Sequence, residues 1–311
     1  MRKQMKKWIV GICIVFVIIG IIIFGISYYL FKYAETPTNK GFIKSEPASV
    51  ELKRENEWLN RIKKLNWELT SDDNLKLKAI YVPAEKKTNK TIFVAHGFMG
   101  KKESMVRFIH FYHDQGYNVI APDARAHGQS QGKYIGYGWL ERSDNLKWLN
   151  KVIDYQGTDS KITLFGISMG GATVMMLSGE KRLPVQVKAI IEDCGYTSVA
   201  DELTYQLKQM YKLPKIPFIP VASVISKFKA GYSFYEASSI KQLSKNKLPV
   251  LFIHGGADKF VPTEMIYKNY AATKGPKDIF IVSGAGHGNS FTKDKAGYTK
   301  KVTHFLEQYF N

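Results

Sequence analysis

The chain has 311 residues, of which 45% are hydrophobic and 13% aromatic, and its formal net charge is +18 at pH 7. This length and apolar content favour one large core over a disordered or fibrous chain, and two cysteines, Cys13 and Cys194, are too few for a disulfide framework. The lysines are spread over the whole chain without zinc-finger spacing or an RNA-recognition aromatic motif, so we predict no nucleic-acid partner and expect a solvated surface that faces an anionic membrane or envelope polymer.

The N-terminal segment is apolar and contains no charged residue from Trp8 to Leu30. As a helix it would extend about 35 Å at 1.5 Å per residue, enough to cross a hydrocarbon core of about 30 Å. The basic residues before it predict a cytoplasmic N-terminus, and they are Arg2, Lys3, Lys6 and Lys7. We therefore predict a cytoplasmic tail and transmembrane helix over residues 1–31, in a single-pass protein of the cell membrane whose remaining domain is extracytoplasmic. A cleaved signal peptide is the alternative, although its apolar region is usually only about 7–15 residues long.

Residues 32–49 are rich in Thr, Pro, Asn, Lys and Ser, which predicts a tether, and residues 50–311 are predicted to form the folded domain. A short lead-in helix is predicted by apolar residues at helical spacing, namely Trp58, Leu59, Ile62 and Leu65. After this helix, apolar residues recur at every second position. Residues 66–70 and 75–82 flank a turn-rich tetrad, so we predict an antiparallel hairpin at the edge of a sheet.

Short β-branched runs then alternate with helical segments. This alternation predicts a doubly wound, mostly parallel sheet with helices on both faces. The predicted strands cover residues 91–95, 118–121, 162–165, 187–191, 249–253 and 278–282. The predicted helices cover residues 103–115, 140–155, 169–178, 263–273 and 293–310.

Polar and small residues follow the predicted parallel strands at their carboxyl ends, where sheets of this kind bind ligands. The segment Gly166-Ile167-Ser168-Met169-Gly170 has the pattern of a nucleophile elbow, a tight strand-to-helix turn that presents a serine above the sheet. Asp258 and His287 each come just after a later strand. Serine, acid and histidine thus occur in the order of a Ser-Asp-His catalytic triad.

Five motifs carry a resemblance to a known family: His96-Gly97-Phe98, Asp123-x-Arg125-x-His127-Gly128-x-Ser130, Gly166-x-Ser168-x-Gly170, Gly255-x-x-Asp258 and Gly286-His287. From about Leu65 to the C-terminus the chain resembles the α/β-hydrolase superfamily, within it the serine esterase and serine aminopeptidase-like branch that includes membrane-anchored bacterial cell-surface hydrolases. The resemblance implies an α/β-hydrolase fold with a helical cap insertion, here preceded by one transmembrane helix. It also leaves Asp193 as a second candidate acid, because some members take their acid from that position.

The residue types predict acyl transfer to a serine. Ser168 would be the nucleophile, His287 the general base, and Asp258 the acid that fixes the imidazole tautomer. The backbone N–H groups of Phe98 and Met169 would form the oxyanion hole. The predicted function is therefore hydrolysis of small acyl esters through an acyl-enzyme, with thioesters or short peptides as alternative substrates and a non-catalytic binding protein on the same fold as a further alternative.

No cofactor is expected for this chemistry. No metal site is predicted either, since the histidines lack the i, i+4 spacing of helical ligand pairs and paired cysteines are absent from the sequence. Asp123 and Arg125 are predicted to support a tight turn, with His127 as no more than a second candidate base.

The predicted cap, at about residues 198–242, has an unusual charge distribution. From Leu203 to Tyr235 it contains no acidic residue but five lysines, together with aromatic residues, and Pro214, Pro217 and Pro220 are predicted to divide it into short pieces. A packed lid whose lysines face water is one interpretation. The other is that the cap holds an acyl chain on its inner side and lies against an anionic lipid surface. The lysines are Lys208, Lys212, Lys215, Lys227 and Lys229.

Overall fold

An eight-stranded sheet organises the computed structural model, which describes residues 2–38 and 49–310. In chain order its strands are β1 (Leu65–Thr70), β2 (Lys76–Val82), β3 (Lys90–Ala95), β4 (Asn118–Pro122), β5 (Lys161–Ile167), β6 (Val187–Asp193), β7 (Val250–Gly255) and β8 (Lys277–Val282). The spatial order is β1-β2-β4-β3-β5-β6-β7-β8. All eight predicted strands are confirmed, with ends shifted by one or two residues.

Strands β3 to β8 are parallel to one another, and β1 and β2 are antiparallel at one edge. The central strands are almost continuously buried, as expected for strands covered by helices on both faces, whereas β1 is partly exposed. Register pairs Ala95 with Gly166, Ile167 with Asp193, and Gly255 with Val282. The carboxyl ends of these strands therefore lie together along one edge of the sheet.

Helices cover both faces of the sheet, as predicted. One apolar core lies under α2 (Val50–Arg61), α3 (Val106–Asp114) and α11 (Lys295–Tyr309). The other lies under α4 (Glu141–Gln156), α5 (Met169–Leu177) and α9 (Glu264–Ala272).

Three predicted helices differ in the structure. The helix predicted over 103–115 begins with a 3₁₀ turn, Lys102–Met105, and α3 follows from Val106. The lead-in helix α2 ends at Arg61. Leu65, which was predicted to lie on the apolar face of this helix, is instead the first residue of β1. The predicted helix over 293–310 is split into α10 (Ser290–Lys293) and α11, because the side chain of Asp294 accepts a hydrogen bond from Gly297 N at 2.9 Å and caps a new helix.

The cap insertion between β6 and β7 consists of α6 (Val199–Tyr211), α7 (Phe218–Lys229) and α8 (Ser239–Leu243). Pro220 does not interrupt it, contrary to the prediction from its proline content. Pro220 lies in the first turn of α7, where a backbone N–H has no acceptor in the helix and proline is tolerated.

The N-terminal helix α1 (Arg2–Glu35) is longer than predicted and extends four residues into the predicted tether at 32–49. Its side chains are largely exposed up to Gly25, but Ser27, Phe31 and Glu35 are buried. These residues are four apart, so they form one helical face, which packs along α7. The remainder of the predicted tether from residue 39 to residue 48 lies outside the described residues. Within the described ranges, α1 is the one helix long and apolar enough to cross a membrane or to serve as a signal sequence.

Candidate active site

The turn between β5 and α5 presents Ser168 at the carboxyl edge of the sheet. Ser168 has φ +56° and ψ −117°, a conformation that L-residues rarely adopt and that is held here by a hydrogen bond from its N–H to Asp193 O at 2.8 Å. A Cβ atom on Gly166 would lie 2.1 Å from Gly170 O, and one on Gly170 would lie 2.1 Å from Ala95 O. The glycines of the motif are therefore required by close backbone approach.

Gly170→Ala is expected to lower the free energy of unfolding by about 1–3 kcal/mol or more, because backbone must move to admit the methyl group. Urea unfolding would measure the change. Gly286→Ala is the matched control, since the nearest atom to a Cβ there is 3.9 Å away. Equal stability of the two variants would contradict this account of the turn.

The structure brings together the three residues of the predicted triad. His287 Nε2 lies 2.8 Å from Ser168 Oγ, and His287 Nδ1 lies 2.7 Å from Asp258 Oδ2. Because a carboxylate can only accept, Nδ1 carries the proton and Nε2 is left as the acceptor of the serine hydroxyl. The side chain of His287 is 24% exposed and that of Asp258 is fully buried, so solvent reaches the imidazole but not the acid.

Asp258 lies in a site that keeps its carboxylate ionised. Burial opposes the charge, but His254 and His287 donate hydrogen bonds to it, and the backbone N–H groups of Phe260 and Val261 donate to Oδ1 at 2.8 Å and 3.0 Å. Together these contacts hold the pKa of Asp258 well below its usual range. His254, which the sequence analysis did not single out, is completely buried and lies 3.3 Å from Asp258 Oδ2.

Asp193, the second candidate acid, has different contacts. It is completely buried at the end of β6, where burial raises its pKa to about 6. Its Oδ1 accepts a hydrogen bond from Ser290 Oγ at 3.3 Å, and its backbone carbonyl accepts one from Ser168 N. Asp193 therefore supports the serine turn, while Asp258 contacts the imidazole.

The loop after β3 carries Phe98, predicted to contribute to the oxyanion hole, and lies against Ser168. A Cβ on Gly97 would be 3.4 Å from Ser168 Cβ. Met169, the other predicted donor, is the first residue of α5, so its N–H has no acceptor within its own helix. Met169 thus adjoins the nucleophile in the chain, and Gly97, the residue before Phe98, packs against it.

His127, the second candidate base, is not brought to Ser168. Its Nε2 accepts a hydrogen bond from Met99 N at 3.1 Å, and its Nδ1 lies 2.9 Å from Arg125 O. Burial lowers the pKa of His127, which keeps the ring neutral and able to accept at Nε2. His127 therefore holds the loop that contains Phe98.

The segment after β4 has the structural role predicted for it. Asp123 is completely buried and accepts hydrogen bonds from the Lys102 ammonium group at 2.7 Å and from Gln129 N at 2.8 Å. Arg125 forms a two-pronged ion pair with Asp144, at 2.7 Å and 2.8 Å. Lys102 was not found by sequence reasoning, because its partner is 21 residues away and no local pattern links them.

Glu192, on β6, is a buried acid that the sequence analysis also passed over. Its Oε2 accepts a hydrogen bond from Gly195 N at 2.8 Å, and burial raises its pKa to about 8. When a carboxyl group has a higher pKa in the folded chain, stability falls as pH rises, because the unfolded chain releases the proton first. The fall begins near the ordinary glutamate pKa of about 4.3 and continues to the folded value.

Glu192→Gln is therefore expected to flatten the decline in the free energy of unfolding between about pH 5 and about pH 8. Urea unfolding at several pH values would measure it, with the exposed Glu85→Gln as control. An unchanged pH slope in Glu192→Gln would contradict this assignment.

Cys194 adds a third possible metal donor beside the triad. Its Sγ and the ligand atoms of Asp258 and His287 lie within 4.8 Å of one another. Burial raises the pKa of the Cys194 thiol well above its usual value, which disfavours the thiolate that metals bind. A metal at this place would also have to displace the hydrogen bond between Asp258 and His287.

Comparisons with known proteins agree with this architecture. A model of the family "Serine aminopeptidase, S33" matches residues 86–215, and a model of the dienelactone hydrolase family matches residues 218–307. The uncharacterised protein YqkD of Bacillus subtilis (strain 168) is 31% identical over 277 residues, which cover 86% of this chain and 89% of YqkD.

Solved structures share the fold at lower identity. The esterase Pf2001 of Pyrococcus furiosus has a TM-score of 0.66 and 21% identity, over 89% of this chain and 98% of the esterase. The uncomplexed acylaminoacyl peptidase of Pyrococcus horikoshii has a TM-score of 0.61 and 18% identity, over 81% of this chain and 43% of the peptidase.

Proposed function

The chain belongs to the α/β-hydrolase superfamily, as its motifs predicted, and we propose that it is a serine hydrolase that cleaves carboxylic esters while α1 anchors it to a membrane. The observation that carries the catalytic part is the chain of hydrogen bonds from Ser168 through His287 to Asp258. The matches to hydrolase families and the fold shared with an esterase support the hydrolytic reaction class.

The proposed reaction begins when Ser168 Oγ attacks the carbonyl carbon of the ester and His287 Nε2 takes the hydroxyl proton. The carbonyl oxygen becomes an oxyanion, and the backbone N–H groups of Phe98 and Met169 would donate to it. The C–O bond to the alcohol then breaks, and the imidazolium returns the proton to the departing alkoxide. Attack of water on the acyl-enzyme, with the same base, releases the carboxylic acid and restores Ser168.

Asp258 has an electrostatic and orienting role in this scheme. Its ionised carboxylate would stabilise the imidazolium formed in each step, and its hydrogen bond to Nδ1 keeps Nε2 directed at the serine. His127 and Asp123 would act one step further away, by holding the loop that supplies Phe98.

Membrane anchoring is supported by α1 and by the basic residues that precede its apolar run. Its side chains are largely exposed up to Gly25, which water would disfavour and lipid would accept. The positive N-terminus would remain in the cytoplasm, so the hydrolase domain would be extracytoplasmic at the cell membrane. Burial of Ser27, Phe31 and Glu35 against the folded domain favours an anchor that is kept over a signal sequence that is removed.

A fluorophosphonate probe tests the catalytic proposal most directly. The probe should label the full chain once, and mass spectrometry should find the adduct on the peptide that contains Ser168. Folded protein that takes up no label would favour a non-catalytic binding protein on the same fold.

Peptide hydrolysis is the second candidate, favoured by the match to the serine aminopeptidase model. A panel of p-nitrophenyl esters, a thioester and an aminoacyl p-nitroanilide would separate the two, since one triad can serve each substrate. We expect the highest kcat/KM on an ester. A higher value on the anilide would replace the ester assignment by a peptidase.

A further inference from the structure

We propose that the turn between α6 and α7, residues 212–217, lies in the surface of the membrane that holds α1, and that it binds anionic lipid there. This turn is called the cap turn below. The proposal rests on the anchoring role proposed for α1, and it assigns to the cap a lipid contact that catalysis does not require.

Helix α1 enters the folded domain without a flexible joint. The backbone carbonyl of Glu35 accepts a hydrogen bond from Ile135 N at 2.8 Å, and that of Ala34 accepts one from Tyr137 Oη at 3.1 Å. The Glu35 side chain accepts another from Tyr232 Oη at 3.2 Å. From Leu30, the end of the apolar run, to Glu35 the helix rises only about 7.5 Å. The domain is therefore held within a few ångströms of the lipid.

The contacts of α7 with α1 show which end of the cap faces the membrane. Near the start of α7, Ile219 lines one apolar cleft together with Leu30. Just before the cap turn, Tyr211 contacts Tyr29 by a side-chain hydrogen bond, and its ring lies 6.4 Å from that of Tyr33. Beyond the other end of α7, Tyr232 reaches Glu35. Helix α7 thus starts near the lipid end of this contact and runs away from it, which places the cap turn nearest the membrane.

The cap turn has the side chains of an interfacial segment. Ile216 is 72% exposed, and Met210, in the last turn of α6 just before the cap turn, is 41% exposed. Lys212 and Lys215 are exposed beside them. An apolar side chain can enter the acyl region while lysine stems extend along it and place their ammonium groups among lipid phosphates. The absence of acidic residues from 203 to 235 leaves this attraction unopposed.

The surface next to the cap turn is also apolar. A cavity of about 70 Å³ lies between α1, α6 and α7, and Met210 belongs both to its lining and to the exposed surface. Its lining includes Leu30, Leu203, Leu207 and Phe234. Exposed apolar side chains beside a membrane helix, with lysines next to them, fit lipid better than they fit a polar protein partner.

Spin labels on the full chain test this orientation. Labels would be attached after Ile216→Cys, Val224→Cys and Phe228→Cys in a Cys13→Ser background, where the remaining Cys194 is buried. Val224 and Phe228 are 56% and 86% exposed, so all three positions accept a label. The protein would be reconstituted in vesicles of phosphatidylcholine and phosphatidylglycerol. Collision rates with oxygen and with a water-soluble nickel chelate would then give the depth of each label.

Two further labels calibrate the result. Ile18→Cys, in the exposed part of α1, reports lipid. Val185→Cys reports water, because Val185 is 80% exposed just before β6, at the edge of the sheet opposite the cap. We expect the Ile216 label to be less accessible to the chelate than the Val185 label but to lie less deep than the Ile18 label. The Phe228 label should resemble that at Val185, and the Val224 label should lie between those at Ile216 and Phe228.

Each alternative outcome is distinct. A lipid-exposed label at Ile18 with an aqueous label at Ile216 would overturn the proposal and leave the anchor intact, whereas an aqueous label at Ile18 would remove the anchor and this proposal with it. A label deeper at Phe228 than at Ile216 would reverse the assigned orientation. Protection of Ile216 from both reagents would indicate a protein contact and overturn the lipid assignment. None of these readouts depends on hydrolytic activity.

The lysines are tested by charge reversal in the same vesicles. Lys212→Glu with Lys215→Glu should make the Ile216 label more accessible to the chelate, and the change should disappear in pure phosphatidylcholine. Lys86→Glu with Lys87→Glu is the matched control, since both residues are exposed before β3, at the opposite edge of the sheet. An Ile216 label that does not respond to reversal would overturn the part of the proposal that concerns anionic lipid.

Discussion

Ser168→Ala is expected to lower kcat/KM for short p-nitrophenyl esters by about 10⁴-fold or more, because it removes the proposed nucleophile while binding and oxyanion contacts remain. The fold should survive the change. Alanine has the same Cβ constraint as serine at φ +56°, and the one side-chain hydrogen bond described for Ser168 Oγ is to His287. Initial-rate kinetics with a thermal melting curve would measure both effects.

Ser178→Ala is the control for this experiment. Ser178 follows α5, and its hydroxyl donates to Met175 O at 2.7 Å, so the variant removes a buried hydroxyl from the same region without touching the triad. Its activity should be close to that of the unmodified protein. If Ser168→Ala kept more than a few per cent of the activity with an unchanged melting curve, another residue would have to be the nucleophile.

Asp258→Asn is expected to lower kcat by about 10⁴-fold, because an amide holds the imidazole in the wrong tautomer and cannot stabilise the imidazolium. The loop should remain folded, since the amide oxygen of asparagine can still accept from the N–H groups of Phe260 and Val261. Rates at saturating ester separate this effect from weaker binding.

Asp193→Asn is the matched comparison for Asp258→Asn. The side chain of Asp193 accepts from Ser290, so this variant should affect stability more than turnover. A large loss of kcat in Asp193→Asn, with only a small loss in Asp258→Asn, would reverse the assignment of the acid. Equal losses of activity in both variants, with intact folds, would indicate that the two carboxylates act together.

Much of this protein could be predicted from its sequence because the signals are local. Strands buried on both faces are continuous β-branched runs, such as Val187 to Ile191, and each was found within two residues of its observed ends. The order of Ser168, Asp258 and His287 along the chain was informative because parallel strands bring their carboxyl ends to one edge. Three distant residues could therefore be predicted to lie together before any distance was known.

The sequence favoured Asp258 as the carboxylate that contacts His287, but it did not exclude Asp193. Asp193 and Asp258 each follow a strand, and only the path of the loops puts Asp258 2.7 Å from the imidazole and Asp193 beside Ser290. The ion pair of Lys102 with Asp123 was invisible for the same reason, since it joins segments with no shared pattern. Long-range polar contacts depend on loop geometry, which leaves little trace in composition or periodicity.

The end of α1 most clearly separates what the composition of the chain can predict from what depends on tertiary packing. The apolar run from Trp8 predicts a membrane helix by its length alone, because a bilayer demands about 20 apolar residues and little else. Ser27, Phe31 and Glu35 belong to that helix but face the cap, and no feature of their composition distinguishes a surface that packs on protein from one that faces lipid. Only the tertiary structure decides this, because burial of that face requires Tyr137 and Tyr232, more than 100 residues away in the chain, to supply the hydrogen bonds at its end.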